Sequence, residues 1–419
     1  MRPRLRICVA TSYAATAEPR AARYTAALAR MDPRIEIVFV DCVPRGQEAE
    51  SPAEFAGLPN VSHHTWYFPW RGHGRLRLLW EKTRLWQARR AFRRAGTLRA
   101  AGLSTRCIGL EKRLIAVKAD IYFGFNIDSL LPVFHAARLA DAPFVFDCQE
   151  IYAEMSHGQT ETERAMIRAA ERLCLPVCAL VLAASPQAAE YLESTYAIHN
   201  VLPLLNAPPV EDLPPDHPAG DFTLYWRNST VDLGPRGLDD ALEAMKLLPA
   251  GITLFLQGRA ARAGGDRVGR LIRDLAIGHR VTILPPYRPE EAVRVAARYS
   301  VGLALEQAGS TNADLTTSNK FFDYAMAGLA IVSTGTKALR PLIESAGLGL
   351  VYEAGNAADL ARQVLRLYED RALLVRMRHK AREYALREGN LEAQLRLFRD
   401  AFRERVLTRL QASVQEELR

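Results

Sequence analysis

No stretch of the 419-residue sequence comes near the roughly 18 uninterrupted apolar residues of a membrane-crossing helix, which excludes an integral helical membrane protein. Cysteine is scarce. Cys8, Cys42, Cys107, Cys148, Cys174 and Cys178 are too few for a disulfide scaffold in a chain of this size. Only Cys174 and Cys178 are close, within ERLCLPVCAL, and they lack the further ligands of a zinc site, so buried thiols are the reading. An Asp-x-Asp pair is missing too, since DAPFVFDC and GLDDAL have the wrong spacing, and no metal site is expected. The start, MRPRLRICVATSY, is basic and then apolar for only about eight residues, which reads as a first strand rather than a signal peptide. The expected location is therefore the cytoplasm.

What is present is an ordinary globular composition, 49% hydrophobic and 24% charged, long enough for about two domains. The net charge of +8 is unevenly placed, because residues 71–106 hold eleven Lys and Arg against one Glu. Trp80, Trp86 and Phe92 recur there at six-residue spacing among leucines, giving a basic, partly amphipathic helical region. A solvated helix face and docking at an anionic membrane surface, on the inner face of the membrane, are both open readings. Nucleic acid is not an expected partner, since no helix-turn-helix, zinc or RNA-binding signature accompanies the charge.

Short β-branched and apolar runs alternate with amphipathic helical stretches, which predicts α/β architecture with parallel sheets. The runs are LRICVATSY, IEIVFVDC, ADIYFGF, APFVFDCQE and CALVLAAS, then DFTLYWR, GITLFLQG, RVTILPP, SVGLALE, LAIVSTG and LGLVYE. Between the two sets, NAPPVEDLPPDHPAGD carries five prolines, which forbid both helix interior and central strand. The expected domains are 1–206, a Pro-rich linker 207–220, 221–389, and a C-terminal helix 390–419 that packs back on the first domain. Leu391, Leu395, Phe398, Phe402 and Val406 form the apolar stripe of that helix. Ligands of such sheets sit at the carboxyl ends of the strands, here the cleft between two facing domains.

The stretch 316–335, TTSNKFFDYAMAGLAIVSTG, is oddly polar for the start of a core helix. If Ser318 is the N-cap, its hydroxyl accepts from an orphan N–H of the first turn, which Asn319 and Lys320 occupy. A cation there opposes the helix dipole unless it shares an anion with the free N–H groups. Asp323 lies one turn along, placed for the vicinal hydroxyls of a ribose. A capped surface helix with a Lys/Asp pair has the same spacing, and both readings stand on the residues alone.

The run SNKFFDYAMAGLAIVSTG resembles the donor-site segment of nucleotide-sugar glycosyltransferases of the GT-B architecture, specifically the retaining group called glycosyltransferase family four. Three further segments are similar in the same order: DIYFGFNIDSLLPVFHAARLADAPFVFDCQEIYAE, ALVLAASPQAAEYLESTYAIHNVLPLLNAPP and FTLYWRNSTVDLGPRGLDDALEAMKLLPAGITLFLQGR. The likeness spans most of 119–360 and implies two facing Rossmann-like domains. It also implies transfer of a hexose from a nucleotide-diphosphate sugar, with retention and without metal or other cofactor. The acceptor would be a glycan, a lipid-linked molecule or a small molecule, in polysaccharide biosynthesis.

Residue by residue, the resemblance implies that Arg236 in GPRG and Lys320, with the amides near Ser318 and Asn319, hold the donor diphosphate. Asp323 would bind the ribose, and the backbone at Tyr287 and Arg288 would meet the base. Glu150 matches the glutamate of the family's Asp-x-His-Glu turn, and Arg236, Lys320 and Glu150 form the expected catalytic set. Departures are Phe125 and Asn126 in place of a His-Asp pair, Gln149 in place of a turn histidine, and Leu315 eight positions before Asp323 where relatives carry glutamate. Asp314, Asn312 and Glu306 are the nearby candidates for that missing role. Asn126 and Gln149 are expected on the acceptor side. Arg20 and Arg23 in the first loop either meet an anionic acceptor or solvate a helix. An epimerase using Glu150 and Asp147, or an inactive sugar-nucleotide scaffold, are the alternative readings.

Overall fold

Strands whose side chains are buried on both faces need apolar runs without alternation, and the central strands here have them. The computed structural model describes residues 5–69, 75–155, 158–213, 222–234, 236–260, 266–408 and 410. It divides into two compact units, Met1–Leu204 with Leu395–Arg419, and Leu205–Gln394. The α/β class expected from the sequence is what both units have.

Among the described residues, the first unit holds seven strands: β1 (Arg6–Thr11), β2 (Glu36–Pro44), β3 (Val61–Phe68), β4 (Ile121–Phe125), β5 (Phe144–Cys148), β6 (Leu180–Ala183) and β7 (Val201–Pro203). All pairings are parallel and the order is β3-β2-β1-β4-β5-β6-β7. Five of these were expected. The edge strands β3 and β7 were not, because VSHHTWYF alternates with polar residues and VLP is three residues long. The basic segment forms a helix over Arg75–Ala95, and its residues 71–74 lie outside the described ones. Phe398, Phe402 and Val406 of the last helix belong to this unit's core, where Phe398 meets Tyr24 edge-on at 4.7 Å. Leu391 of the same expected stripe falls in the second unit.

Among its described residues, the second unit has six parallel strands: β8 (Phe222–Val231), β9 (Ile252–Ala260), β10 (Val281–Leu284), β11 (Val301–Ala304), β12 (Ala330–Thr334) and β13 (Gly349–Tyr352). They run in the order β10-β9-β8-β11-β12-β13, and all six were expected. Of the proposed linker, 214–220 lies outside the described residues.

Both orders reverse direction once, between β1 and β4 and between β8 and β11. At such a switch point the connections leave to opposite sides and open a crevice beyond the carboxyl ends of the strands. All six cysteines are free and buried.

Candidate donor site and its relatives

Three chain segments converge at the β8/β11 switch point. β11 is followed by Leu305 and Glu306, both buried, and burial pushes the Glu306 carboxyl up. The Lys320 ammonium, at 2.9 Å from Oε1, overrides this. With help from Arg236 and a hydrogen bond to Ser318, it brings the group down to about 2. The second segment is the loop after β8. Gly237 there sits at φ +64°, and a Cβ on it would lie 2.4 Å from the Leu305 carbonyl oxygen, so only glycine lets the loop approach β11. Trp226 Nε1 donates to the Arg236 carbonyl at 3.2 Å, and the Arg236 guanidinium reaches within 3.6 Å of Glu306 Oε1. Pro235 lies outside the described residues.

The third segment is the helix Asn319–Met326. Ser318 is its N-cap residue, as the sequence suggests, but its side chain makes no capping bond. The hydroxyl donates to the Glu306 carboxylate instead, a charge-assisted bond. That leaves first-turn N–H groups without a side-chain cap, beside an ammonium 9% exposed. Burial lowers the Lys320 pKa, Glu306 opposes this, and Arg236 adds to the lowering. Two cations around one carboxylate leave the cluster with net positive charge, facing an uncapped helix N-terminus. An anion fits this arrangement.

Asp323, one turn on, is paired with Arg227 of β8, a residue that sequence reasoning passed over. Arg227 closes the apolar run FTLYW within β8 and Glu306 follows the apolar β11, and a charge at the end of an apolar run was the signal available. Asp314 accepts from the Lys337 backbone N–H at 2.9 Å and pairs with the Lys337 ammonium at 3.3 Å. The Tyr287 hydroxyl accepts from Tyr225 at 3.4 Å. Arg288 is exposed, and its N–H donates to Glu291 at 2.9 Å in a local capping box, so that N–H is already engaged. Asn319 is exposed at the first position of the helix.

The remaining candidates lie in the first unit. Arg20 neither solvates a helix nor stands free for an acceptor. It is 4% exposed, and its guanidinium grips Asp147 at 2.6 and 3.2 Å and the Leu204 carbonyl at 3.3 Å. An arginine this deeply buried needs a carboxylate, and the requirement also removes Asp147 as a free base. Arg23 is half-buried, 3.8 Å from Glu54. At the β1/β4 switch point, Asn126 accepts from Thr11 at 2.9 Å and donates to Glu18 at 2.8 Å, while Gln149 donates to the other Glu18 oxygen at 2.9 Å. Glu18 was missed because nothing in TAEPR marks it as buried. Phe125 is fully buried, and Glu150 follows in the turn after β5.

No family model matches the sequence, and no curated protein matches it. Solved structures do. HepE from Anabaena in complex with UDP is 14% identical, with a TM-score of 0.68 over 96% of this chain and 100% of that one. Sucrose-phosphate synthase from Thermosynechococcus elongatus is 14% identical, with a TM-score of 0.69 over 96% and 99%. The lipopolysaccharide outer core galactosyltransferase WaaB, in its apo form, is 13% identical with a TM-score of 0.63 over 95% and 99%. These relatives are GT-B glycosyltransferases, and at such identities the likeness establishes the fold: this chain has the two-unit, Rossmann-like α/β fold of the GT-B type.

Proposed function

We propose that the protein is a glycosyltransferase of family four that moves a hexose from a nucleotide-diphosphate sugar to an acceptor, with retention and without a metal. The observation that carries this is the cluster of Arg236, Lys320 and the uncapped start of the helix Asn319–Met326 around Glu306, at a switch point of a parallel sheet. Glycosyl transfer breaks a C–O bond through an oxocarbenium-like transition state and leaves new charge on a diphosphate. Fixed cations and amides that meet that charge better than the ground state lower the barrier. In the retaining mode the leaving phosphate takes the acceptor's proton, so the absence of a free base at Asp147 is consistent with the reading.

Asp323 is assigned to the ribose, through the oxygen that Arg227 leaves, and the loop at Tyr287 and Arg288 to the base. UDP and UDP-glucose are bound in structures of HepE, which makes uracil the first base to try. The acceptor belongs to the first unit, as a glycan, a lipid-linked molecule or a small molecule. Asn126 and Gln149 both spend amide hydrogens on Glu18. An uncharged, tied pair in that place favours, as a second reading, a scaffold that binds the nucleotide sugar without turnover.

A thermal-shift series with UDP, GDP and ADP tests the donor site and names its base together. One nucleoside diphosphate is expected to raise the melting temperature, by an increment that grows with the logarithm of its concentration. No shift with any of them removes the donor reading.

A further inference from the structure

The helix Arg75–Ala95 has a composition that the donor site does not explain. Eight of its residues are Arg or Lys and one is acidic. That acid, Glu81, is 1% exposed and points inward with Ala88. The helix lies on the turn Ala100–Gly102 and the helices Thr105–Val117 and Glu161–Cys174. Arg89 fastens it there, donating from Nε to the Gly102 carbonyl at 3.0 Å and pairing with Glu163 at 2.7 Å.

The opposite face carries uncovered apolar side chains, with Thr83, Gln87, Arg90 and Arg94 interspersed among them. Leu76 is 86% exposed, Leu79 65%, and Trp80 and Trp86 53% each. At helical spacing these four fall within an arc of roughly 120°. Lys82 and Arg93 border the arc on one side and Arg77 on the other, all exposed. The Arg84 guanidinium lies 4.7 Å from the centre of the Trp80 ring, and that of Arg90 lies 5.1 Å from the Trp86 ring. The result is a face of exposed leucines and indoles set among cations, with no carboxylate on its exposed side.

We propose that this face docks on an anionic phospholipid bilayer, with the helix in the plane of the interface. Indole rings suit the headgroup layer, where one edge is wet and the other apolar. Leu76 and Leu79 reach past them, and long basic side chains keep their charges at the lipid phosphates. Each cation near such a surface raises partitioning about fivefold. Charge complementarity selects this occupant. A second copy would bring a face of the same sign against this one, and a nucleic acid would meet the cations but leave the two leucines in water. The inference goes beyond the transferase reading and stands without it, since it uses no residue of the second unit. Combined with that reading, it brings the enzyme to the surface where lipid-linked acceptors are presented.

The test is flotation of the full chain with phosphatidylcholine vesicles, with and without about one third phosphatidylglycerol, at about 0.05 and about 0.5 M salt. Binding is expected to the anionic vesicles, to weaken at high salt, and to fall at least about tenfold in the double variant W80A/W86A. Those side chains are exposed, so the variant should melt as the parent does, and Lys82→Glu with Arg93→Glu gives an independent loss through charge alone. Brominated lipids should quench the fluorescence of the parent more than that of W80A/W86A. The proposal is overturned by failure to bind anionic vesicles at low salt, or by W80A/W86A binding as well as the parent. It is equally overturned by a dimer that W80A/W86A dissolves, or by binding of an RNA fragment where vesicles do not bind.

Discussion

Removing the Lys320 charge should separate what the Lys320–Glu306 pair does for the fold from what it does for a ligand. In Lys320→Met the ammonium is gone and Glu306 stays buried with Arg236 at 3.6 Å as its remaining cation. Breaking a buried pair by deleting one partner costs about 3–5 kcal/mol, and Arg236 puts this case at the low end. The Glu306 pKa gives a similar figure: a fall from 4.5 to about 2 corresponds to about 3 kcal/mol of preference for the charged form. In a unit of about 190 residues that is a loss of roughly 6–12 °C in melting temperature. The double variant E306Q/K320M removes both charges and should regain stability to within about 1 kcal/mol of the parent. It should not regain the nucleoside diphosphate, whose affinity should stay at least about tenfold weaker, the scale of one charge-assisted hydrogen bond. Calorimetric melting and titration calorimetry at neutral pH read the two quantities. If K320M melts like the parent, the buried pair is not what holds the cluster. If E306Q/K320M binds diphosphate as the parent does, Lys320 is no part of the clamp.

Further outcomes follow from other parts of the structure. Glu171 is 1% exposed, and burial lifts its carboxyl to about 7 despite the bond donated by Tyr196 at 2.5 Å. A folded value above the unfolded one gives stability that is full below about 4.5 and lost as pH rises through about 7, so Glu171→Gln should stabilise by about 3 kcal/mol at pH near 8 and change little near pH 4. Denaturant melts at the two pH values check this, and an equal effect at both would contradict it. Glu306 has the opposite sign: its contribution is present above about 4.5 and is lost as pH falls towards about 2, which acid titration of E306Q/K320M against the parent should show. Gly237→Ala forces a left-handed residue against the Leu305 carbonyl and should lower both stability, by at least about 1–3 kcal/mol, and diphosphate affinity. Turnover should survive a chelator, because Arg236, Lys320 and the helix terminus supply the positive charge; a chelated enzyme that regains activity only with a divalent ion would refute metal independence.

The six strands of the second unit and the polar helix start after Thr317 were legible because each stands out against its neighbours in composition. What the sequence could not show is which groups spend their bonding on one another. Arg20 reads as a surface residue in AEPRAAR, yet Asp147, 127 positions away, draws it into the core. Ser318 reads as a capping hydroxyl, yet Glu306 takes it. Arg227 and Asp323 are 96 positions apart, and only the parallel order that sets β8 beside β11 brings them together. The edge strands β3 and β7 were missed for a different reason, since a strand with one exposed side or three residues lacks a continuous apolar run.

The most direct test of the transferase reading is release of nucleoside diphosphate from UDP- and GDP-sugars by the purified chain. A slow release from one donor is expected, lowered by about a hundredfold or more in kcat/KM in both Arg236→Ala and Lys320→Ala, the scale of losing one charge-stabilising donor. Binding without release would assign a scaffold, a new sugar nucleotide an epimerase, and parent-like turnover in the two variants would contradict the clamp itself.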